Sequence, residues 1–336
     1  MLQSGNIQSG ILNKIKVSFY KLISVAEMII IIPIIILIIA GYIINPVFLT
    51  ANNLLSLLKN ISYLGIIAVV FTLLLAVKGL DLSVGALVGL SGVIVGIATT
   101  KWNLPVSLSI FIVFIIGLSA GIINGYLCAK VGIPSLIVTL GMQFILRGTS
   151  FILVGVTYII GNIPESIVKF GNYKIGPFSI ETVFLIILAL IIDFIFRSTV
   201  LGRRIKLSGA NPSVARLHGV NHQNIAMFVY IATSLAAAFA GVLFTARLGS
   251  SMPLAGYQWE LRIIVACVLG GASIYGGRGS VIGTLLGVVF IATLYNVMVL
   301  ANVSDDWQFF ITGLILILAI MFNNTRISII NRVLTA

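Results

Sequence analysis

The sequence predicts an all-α polytopic membrane protein of about ten transmembrane helices, some of them broken or re-entrant. Three observations carry that prediction. The 336-residue chain is 60% hydrophobic and only 8% charged. Its mean hydropathy is +1.19, more apolar than a soluble globular domain. Its apolar residues gather in repeated runs of about twenty, the length an α-helix needs to cross a hydrocarbon core. These runs are continuous rather than alternating, which argues against a spanning β-barrel.

Taken in order, a polar segment 1–26 with Lys14, Lys16 and Lys21 precedes the first apolar run at 27–44. No small-residue cleavage site follows that run, so it is expected to be a retained span rather than a removed signal peptide. Further runs at 57–77, 83–99, 105–128, 134–155, 180–196, 225–247, 262–275, 279–300 and 309–322 complete a membrane domain over 27–322. A polar tail, 323–336, follows. The runs at 83–99 and 262–275 are short and interrupted or bounded by glycine, the pattern of a broken or re-entrant helix.

Charge sets the expected orientation. With the N-terminus inside, the inner loops hold Lys14, Lys16, Lys21, Lys78, Lys130, Arg197, Arg203, Arg204, Lys206, Arg216, Arg278, Arg326 and Arg332. The outer loops hold Lys101, Lys169 and Lys174, while Lys59, Arg147, Arg247 and Arg262 lie within or at the ends of runs. This bias puts both termini and the segment 197–224 in the cytoplasm. It also explains the net charge of +12 without a nucleic-acid partner.

Glycines repeat at four-residue spacing in Gly85/Gly89, Gly92/Gly96, Gly117/Gly121/Gly125 and Gly279/Gly283/Gly287. Each set shares one helix face, where small residues let backbones approach closely. Segments 83–99 and 279–290 are faintly alike, which suggests an internal duplication. Cys128 and Cys267 read as small apolar packing residues.

The stretch Leu201–Val220, LGRRIKLSGANPSVARLHGV, is a basic island. It carries Arg203, Arg204, Lys206 and Arg216 and no acidic residue. Asn211-Pro212 opens, and Gly219 closes, a helix of about two turns. A helix that short is marginal alone in water and is expected to dock onto something. The chain has no GxxxxGK[ST] phosphate loop, and His218 and His222 have no neighbours with which to form a metal site.

Ionisable residues inside membrane runs are functional candidates. Asp81 reads first as a solvated helix cap before DLSVG, and second as a contact on a translocation path. Arg147, within GMQFILRGTSF, pairs with a carboxylate or faces a water-filled path. Glu260 and Arg262 form a local ion pair or line an outer mouth. Asp193 and Arg197 have i,i+4 spacing. Glu27, Asp81, Glu181, Asp193, Glu260, Asp305 and Asp306 all fall at run ends, and Glu165 in an outer loop. That placement argues against an ion-coupled carrier, which usually needs a buried carboxylate near mid-membrane.

Four blocks in this order, GLDLSVGALVGLSGVIVG (79–96), GIPSLIVTLGMQFILRG (132–148), LGRRIKLSGANPSVARLHGV (201–220) and CVLGGASIYGGRGSVIGTLLG (267–287), resemble the permease subunits of ribose-type ABC importers. AAAFAGVLFTARLGSSMPLAGYQWEL (236–261) extends the resemblance, which runs from about Asn52 to Ala319. It implies a type II ABC-importer-like fold and a non-catalytic membrane subunit in the cytoplasmic membrane. The implied partners are a second permease, cytosolic ATPase chains that hold the ATP and Mg, and an extracytoplasmic sugar-binding protein. The implied cargo is a monosaccharide or a sugar-like solute of the pentose, hexose, rhamnose or autoinducer-2 class.

The resemblance makes Arg203, Arg204, Gly209, Asn211, Pro212, Ala215, Arg216, Leu217 and Gly219 the ATPase-coupling residues. It also fits the turns Gly270-Gly271 and Gly276-Gly277 to a broken helix lining the path between subunits, for which Asp81, Arg147, Glu260 and Arg262 are the ionisable candidates. One departure stands out: ribose-type members read close to ELDAIAA where this chain reads ELRIIVA at 260–266. A cation thus replaces an anion at Arg262, which weighs against ribose itself. The alternatives are a same-fold permease for a nucleoside or other small polar solute, and an ion-coupled secondary carrier.

Overall fold

Inside an apolar medium every backbone N–H and C=O must be paired within the protein, and this chain meets that demand almost wholly with helices. The computed structural model describes residues 26–155, 159–160 and 163–335. The predicted N-terminal lysines at 14, 16 and 21 lie outside the described residues.

Helix α1 (Ala26–Ile44) buries Ile30 and Ile34 and turns Ile32, Ile36 and Ile43 outward. A 3-10 turn capped by Asn45 leads into α2 (Ala51–Ala76), which is buried on every side from Ser62 onward. Next, α3 (Val84–Thr100) is buried from Val84 to Ala98. Helices apolar all round belong at a bundle's centre, and α2 and α3 form it here together with α10 (His222–Leu248). Around them stand α4 (Val106–Gly125), extended by a π-helical turn Tyr126–Val131, and α5 (Ser135–Val154). The outer face of α5 presents Phe144 and Ile152.

Between α5 and the next long helix lie β1 (Ile159–Ile160), a short helix α6 (Glu165–Gly171), and a small hairpin of β2 (Lys174–Ile175) and β3 (Phe178–Ser179). Helix α7 (Ile180–Ser198) then bends by 70° into α8 (Val200–Ala210), which is followed by α9 (Pro212–Leu217). After α10, β4 (Ser250–Ser251) pairs antiparallel with β1. Helices α11 (Trp259–Leu269), α12 (Val281–Leu300) and α13 (Asp305–Thr335) complete the chain.

All ten apolar runs are helical, with one shortened. The run at 262–275 is helical only to Leu269, because Gly270 caps it and Gly271 takes φ +91°. At 1.5 Å per residue, eleven residues reach about half of a bilayer core. Among the described residues, five helices are long and apolar enough to cross by themselves, and the bent α7–α8 pair makes a sixth. Helix α3 and the described part of α1 are shorter apolar helices. The stretch 323–335, read as a tail, continues α13.

The glycine stripes mark where helices touch backbone to backbone. On α4, a Cβ at Gly117 would stand 2.8 Å from the Ala238 Cβ, and one at Gly121 would stand 2.6 Å from the Ile231 Cα, both on α10. Gly283 and Gly287 on α12 likewise lie against the carbonyls of Gly270 and Ala266. Gly121→Ala is therefore expected to destabilise the protein by about 2 kcal/mol, the usual cost of overpacking. Gly141→Ala, where a Cβ meets open space, is expected to be neutral or stabilising. Thermal unfolding of the two variants in detergent compares them directly.

Candidate functional site

The basic island is built as two helices, not as a loop with one. Thr199 Oγ1 accepts from the Gly202 N–H at 3.2 Å and caps α8, a helix that the sequence reading missed. The Thr199 cap directly after a helix end was the available signal. Asn211 Oδ1 accepts from the N–H groups of Ser213 and Val214 at 3.0 and 3.1 Å, Pro212 takes the first helical position, and Gly219 ends the turn at φ +72°. Ile205 and Ala215 are buried and anchor the pair. Lys206 lies over the Phe196 ring at 4.4 Å. Arg203, Arg204 and Arg216 are exposed, and Leu217 is 86% exposed. The result is an apolar knob among arginines on a helix with few contacts of its own.

A second assembly sits in the interior, where residues 249–258 leave helical geometry between α10 and α11. Gly249, Gly256 and Gln258 all have positive φ there. Arg147 of α5 donates through Nη1 to the carbonyls of Pro253 and Ala255, the latter at 3.0 Å. One turn earlier on the same helix, Gln143 Nε2 donates to Glu260 Oε1 at 3.1 Å, and Glu260 is only 5% exposed. Helix α3 supplies the room. A Cβ at Gly85 would strike Glu260 Oε2 and the Gly256 carbonyl, and one at Gly89 would strike Arg147 and the carbonyls of Pro253 and Ala255.

Several expectations are corrected by this geometry. Arg147 is held by backbone carbonyls, and no carboxylate lies within 4 Å of it; the ion pairs among the described residues are Glu165–Lys169 at 3.1 Å and Asp193–Arg197 at 2.7 Å. The second of these is the pair its spacing predicted. Glu260 and Arg262 are not paired with each other, since residues two apart do not face one another on a helix. Arg262 instead lies over the Tyr295 ring at 3.6 Å and borders a cavity of about 310 Å³ with Tyr257, Trp259, Asp305, Gln308 and Phe309.

Asp81 is fully buried rather than solvated, and Ser83, not Asp81, occupies the cap position of α3. Its carboxylate accepts from the Ser83 N–H at 2.8 Å and from Ser83 Oγ at 2.5 Å, with Asn124 Nδ2 at 3.4 Å from its second oxygen. Glu181, also read as a residue at a helix end, is 1% exposed and accepts from the Tyr63 hydroxyl at 3.3 Å. Three carboxylates are therefore buried, each at or beside a helix end, as their positions in the sequence predicted. The predicted path glycines separate as well. Gly270 packs on Gly283, while Gly276 and Gly277 lie against Gly209 and Ala210 at the end of α8.

The comparisons with known proteins fit this architecture. The family described as a branched-chain amino acid transport system permease component matches residues 53–320. This chain belongs to that permease family. It is 34% identical to the ribose import permease of Escherichia coli, over 84% of this chain and 88% of that one. It is 32% identical to the fructose import permease of Rhizobium meliloti, over 86% and 83% of the two chains. It is 30% identical to a xylose transport permease of Haemophilus influenzae, over 83% and 90%. No solved structure matches it.

Sequence reasoning about the permease missed Gln143, Asn124 and the Tyr63–Glu181 contact. Gln143 was legible as the residue one turn before Arg147, and Asn124 as the polar member of a helix face shared with Gly117 and Gly121. Removing the guanidinium would strand two buried carbonyls, at about 1–3 kcal/mol for buried groups left unpaired. Arg147→Met is thus expected to speed amide exchange across 249–258, with Arg147→Lys intermediate, as measured by hydrogen exchange with mass spectrometry.

Proposed function

We propose that this chain is the membrane subunit of an ATP-driven importer that passes a monosaccharide from a receptor protein across the cytoplasmic membrane. It would work as a dimer with itself or a sister permease, with about ten spans, a type II importer-like arrangement and both termini in the cytoplasm. The observation that carries this reading is the likeness, over more than four fifths of the chain, to permeases named for ribose, fructose and xylose. The absence of a phosphate loop from the sequence supports separate ATPase chains, which would hold the ATP and Mg.

The exposed α9 supports the same reading. Its knob, Leu217, and its Arg216, with Arg203 and Arg204 exposed on the adjoining α8, suit a groove that is apolar at its base and acidic at its rim. Burial of Leu217 would contribute about 2 kcal/mol, and the arginines would add orientation and salt dependence. ATP-driven closure of two such ATPases would push on α8 and α9 and tilt the bundle between outward-open and inward-open states. A second reading, transport of another small polar solute on the same fold, is favoured by the family description, which names branched-chain amino acids.

Two measurements test the proposal. The double variant Arg204→Glu/Arg216→Glu is expected to insert normally but to lose co-purification of the ATPase, and uptake with it, by about tenfold or more, the equivalent of 1.4 kcal/mol of docking energy. Retention of both sinks the coupling role. Uptake of labelled pentoses, hexoses and amino acids into vesicles holding the complete complex then separates the two cargo readings.

A further inference from the structure

We propose that Gly209, Gly276 and Gly277 form the joint that carries movement of the α8–α9 pair into α11, and through α11 to the interior segment 249–258. This rests on the reading above, that an external ATPase drives the chain. Ala76 is the last residue of α2, and its carbonyl accepts from the Gly277 N–H at 2.8 Å. Gly209 lies directly over that bond: a Cβ there would fall on the Ala76 oxygen and close to the Gly277 nitrogen. A Cβ on Gly276 would strike the Gly209 carbonyl and the Lys78 side chain, and one on Gly277 would stand 2.8 Å from the Ala210 Cβ. Three chain segments therefore meet largely backbone to backbone, with the Lys78 side chain alongside Gly276, and backbone cannot yield by changing rotamer.

Beyond the joint, the connection stays stiff. The loop 273–278 is closed on itself by Gly276 N–H to the Ser273 carbonyl at 3.0 Å, Ser273 N–H to the Arg278 carbonyl at 3.2 Å, and Tyr275 N–H to Ser273 Oγ at 3.2 Å. Ala266 of α11 and Gly270, which caps it, lie against Gly287 and Gly283 of α12, again through backbone. The other end of α11 begins beside Glu260, which Gln143 holds. One end of α11 thus connects to the joint and the other to segment 249–258, so α11 acts as a strut of about 16 Å between them.

The test uses vesicles containing the permease, its ATPase and its receptor. Gly209 is buried against Ala76 and Gly277, away from the exposed face of residues 211–217, so uptake and hydrolysis by Gly209→Ala are both read per ATPase retained. Hydrolysis is expected to continue while uptake falls about tenfold, since overpacking of 1–3 kcal/mol pushes α8 off the joint. A wild-type ratio of uptake to hydrolysis in Gly209→Ala overturns the joint.

Should that variant not accumulate, spin labels on exposed positions 200, 275 and 152, introduced as Val200→Cys, Tyr275→Cys and Ile152→Cys with Cys128→Ser, give an independent measurement. The 200–275 distance is expected to stay constant between the nucleotide-free and ATP-bound states while the 200–152 distance changes. A changing 200–275 distance, or a fixed 200–152 distance, overturns the joint. If the wild-type chain binds no ATPase, the functional reading fails and the joint falls with it. Intact wild-type coupling that survives Gly209→Ala removes the joint alone.

Discussion

The bond from Arg147 to the carbonyls of Pro253 and Ala255 is the interaction on which the interior depends. Non-helical backbone in a bundle of this kind is tolerated only where its polar groups find partners inside the protein. Between α10 and α11 the chain leaves helical geometry with Pro253 and Ala255 buried, and their carbonyls need donors that no neighbouring helix backbone can spare. A guanidinium supplies several donors in a fixed fork and keeps its charge. Gly85 and Gly89 on α3 follow from that choice, because side chains there would occupy the space of the guanidinium, Glu260 and the segment's carbonyls. The spacing of Gln143 and Arg147 follows too: one helical turn lets α5 hold the start of α11 and the segment before it at once.

Glycine does two different jobs here, and only the structure separates them. On α4 the stripe Gly117, Gly121 and Gly125 seats a straight helix on α10, which fixes their distance and resists change. At Gly209, Gly276 and Gly277 the contact joins an end of α8 to a turn and to an end of α2, so it fixes a point while leaving the helices free to pivot. Gly276 and Gly277 also need positive φ, which L side chains rarely adopt. A contact of three helix ends or turns transmits force without binding the helices along their lengths.

Most of the helical framework was legible in the sequence because continuous apolar runs have few other physical solutions. The short helix after Asn211-Pro212 was legible for a local reason, a cap and a first-position proline. What could not be read was where polar residues end up once helices pack. Asp81, Glu181 and Glu260 stand at the ends of apolar runs, and Asp81 looks solvated; the structure buries all three where the end of α2 and the starts of α7 and α11 pack against neighbouring helices. The partner of Arg147 was illegible for a related reason. Carbonyls carry no residue-type signal, and they became partners only because segment 249–258 folds back into the bundle. The bend between α7 and α8 was hidden because basic residues on an amphipathic helix have the same composition as a basic loop.

The same limits bear on Arg262, where the departure from ribose-type sequences weighs against a sugar read as a neutral ligand meeting a fixed acid. Arg262 borders the cavity between α11 and α13. Yet its guanidinium lies 3.6 Å from the Tyr295 ring centre, and Asp305 borders the same cavity. The aromatic face and the nearby carboxylate offset its charge within the chain. The side chain therefore offers the cavity N–H donors more than a net positive field. Residue type alone, a cation where ribose-type members carry an acid, is therefore a poor guide to the charge that a neighbouring group meets.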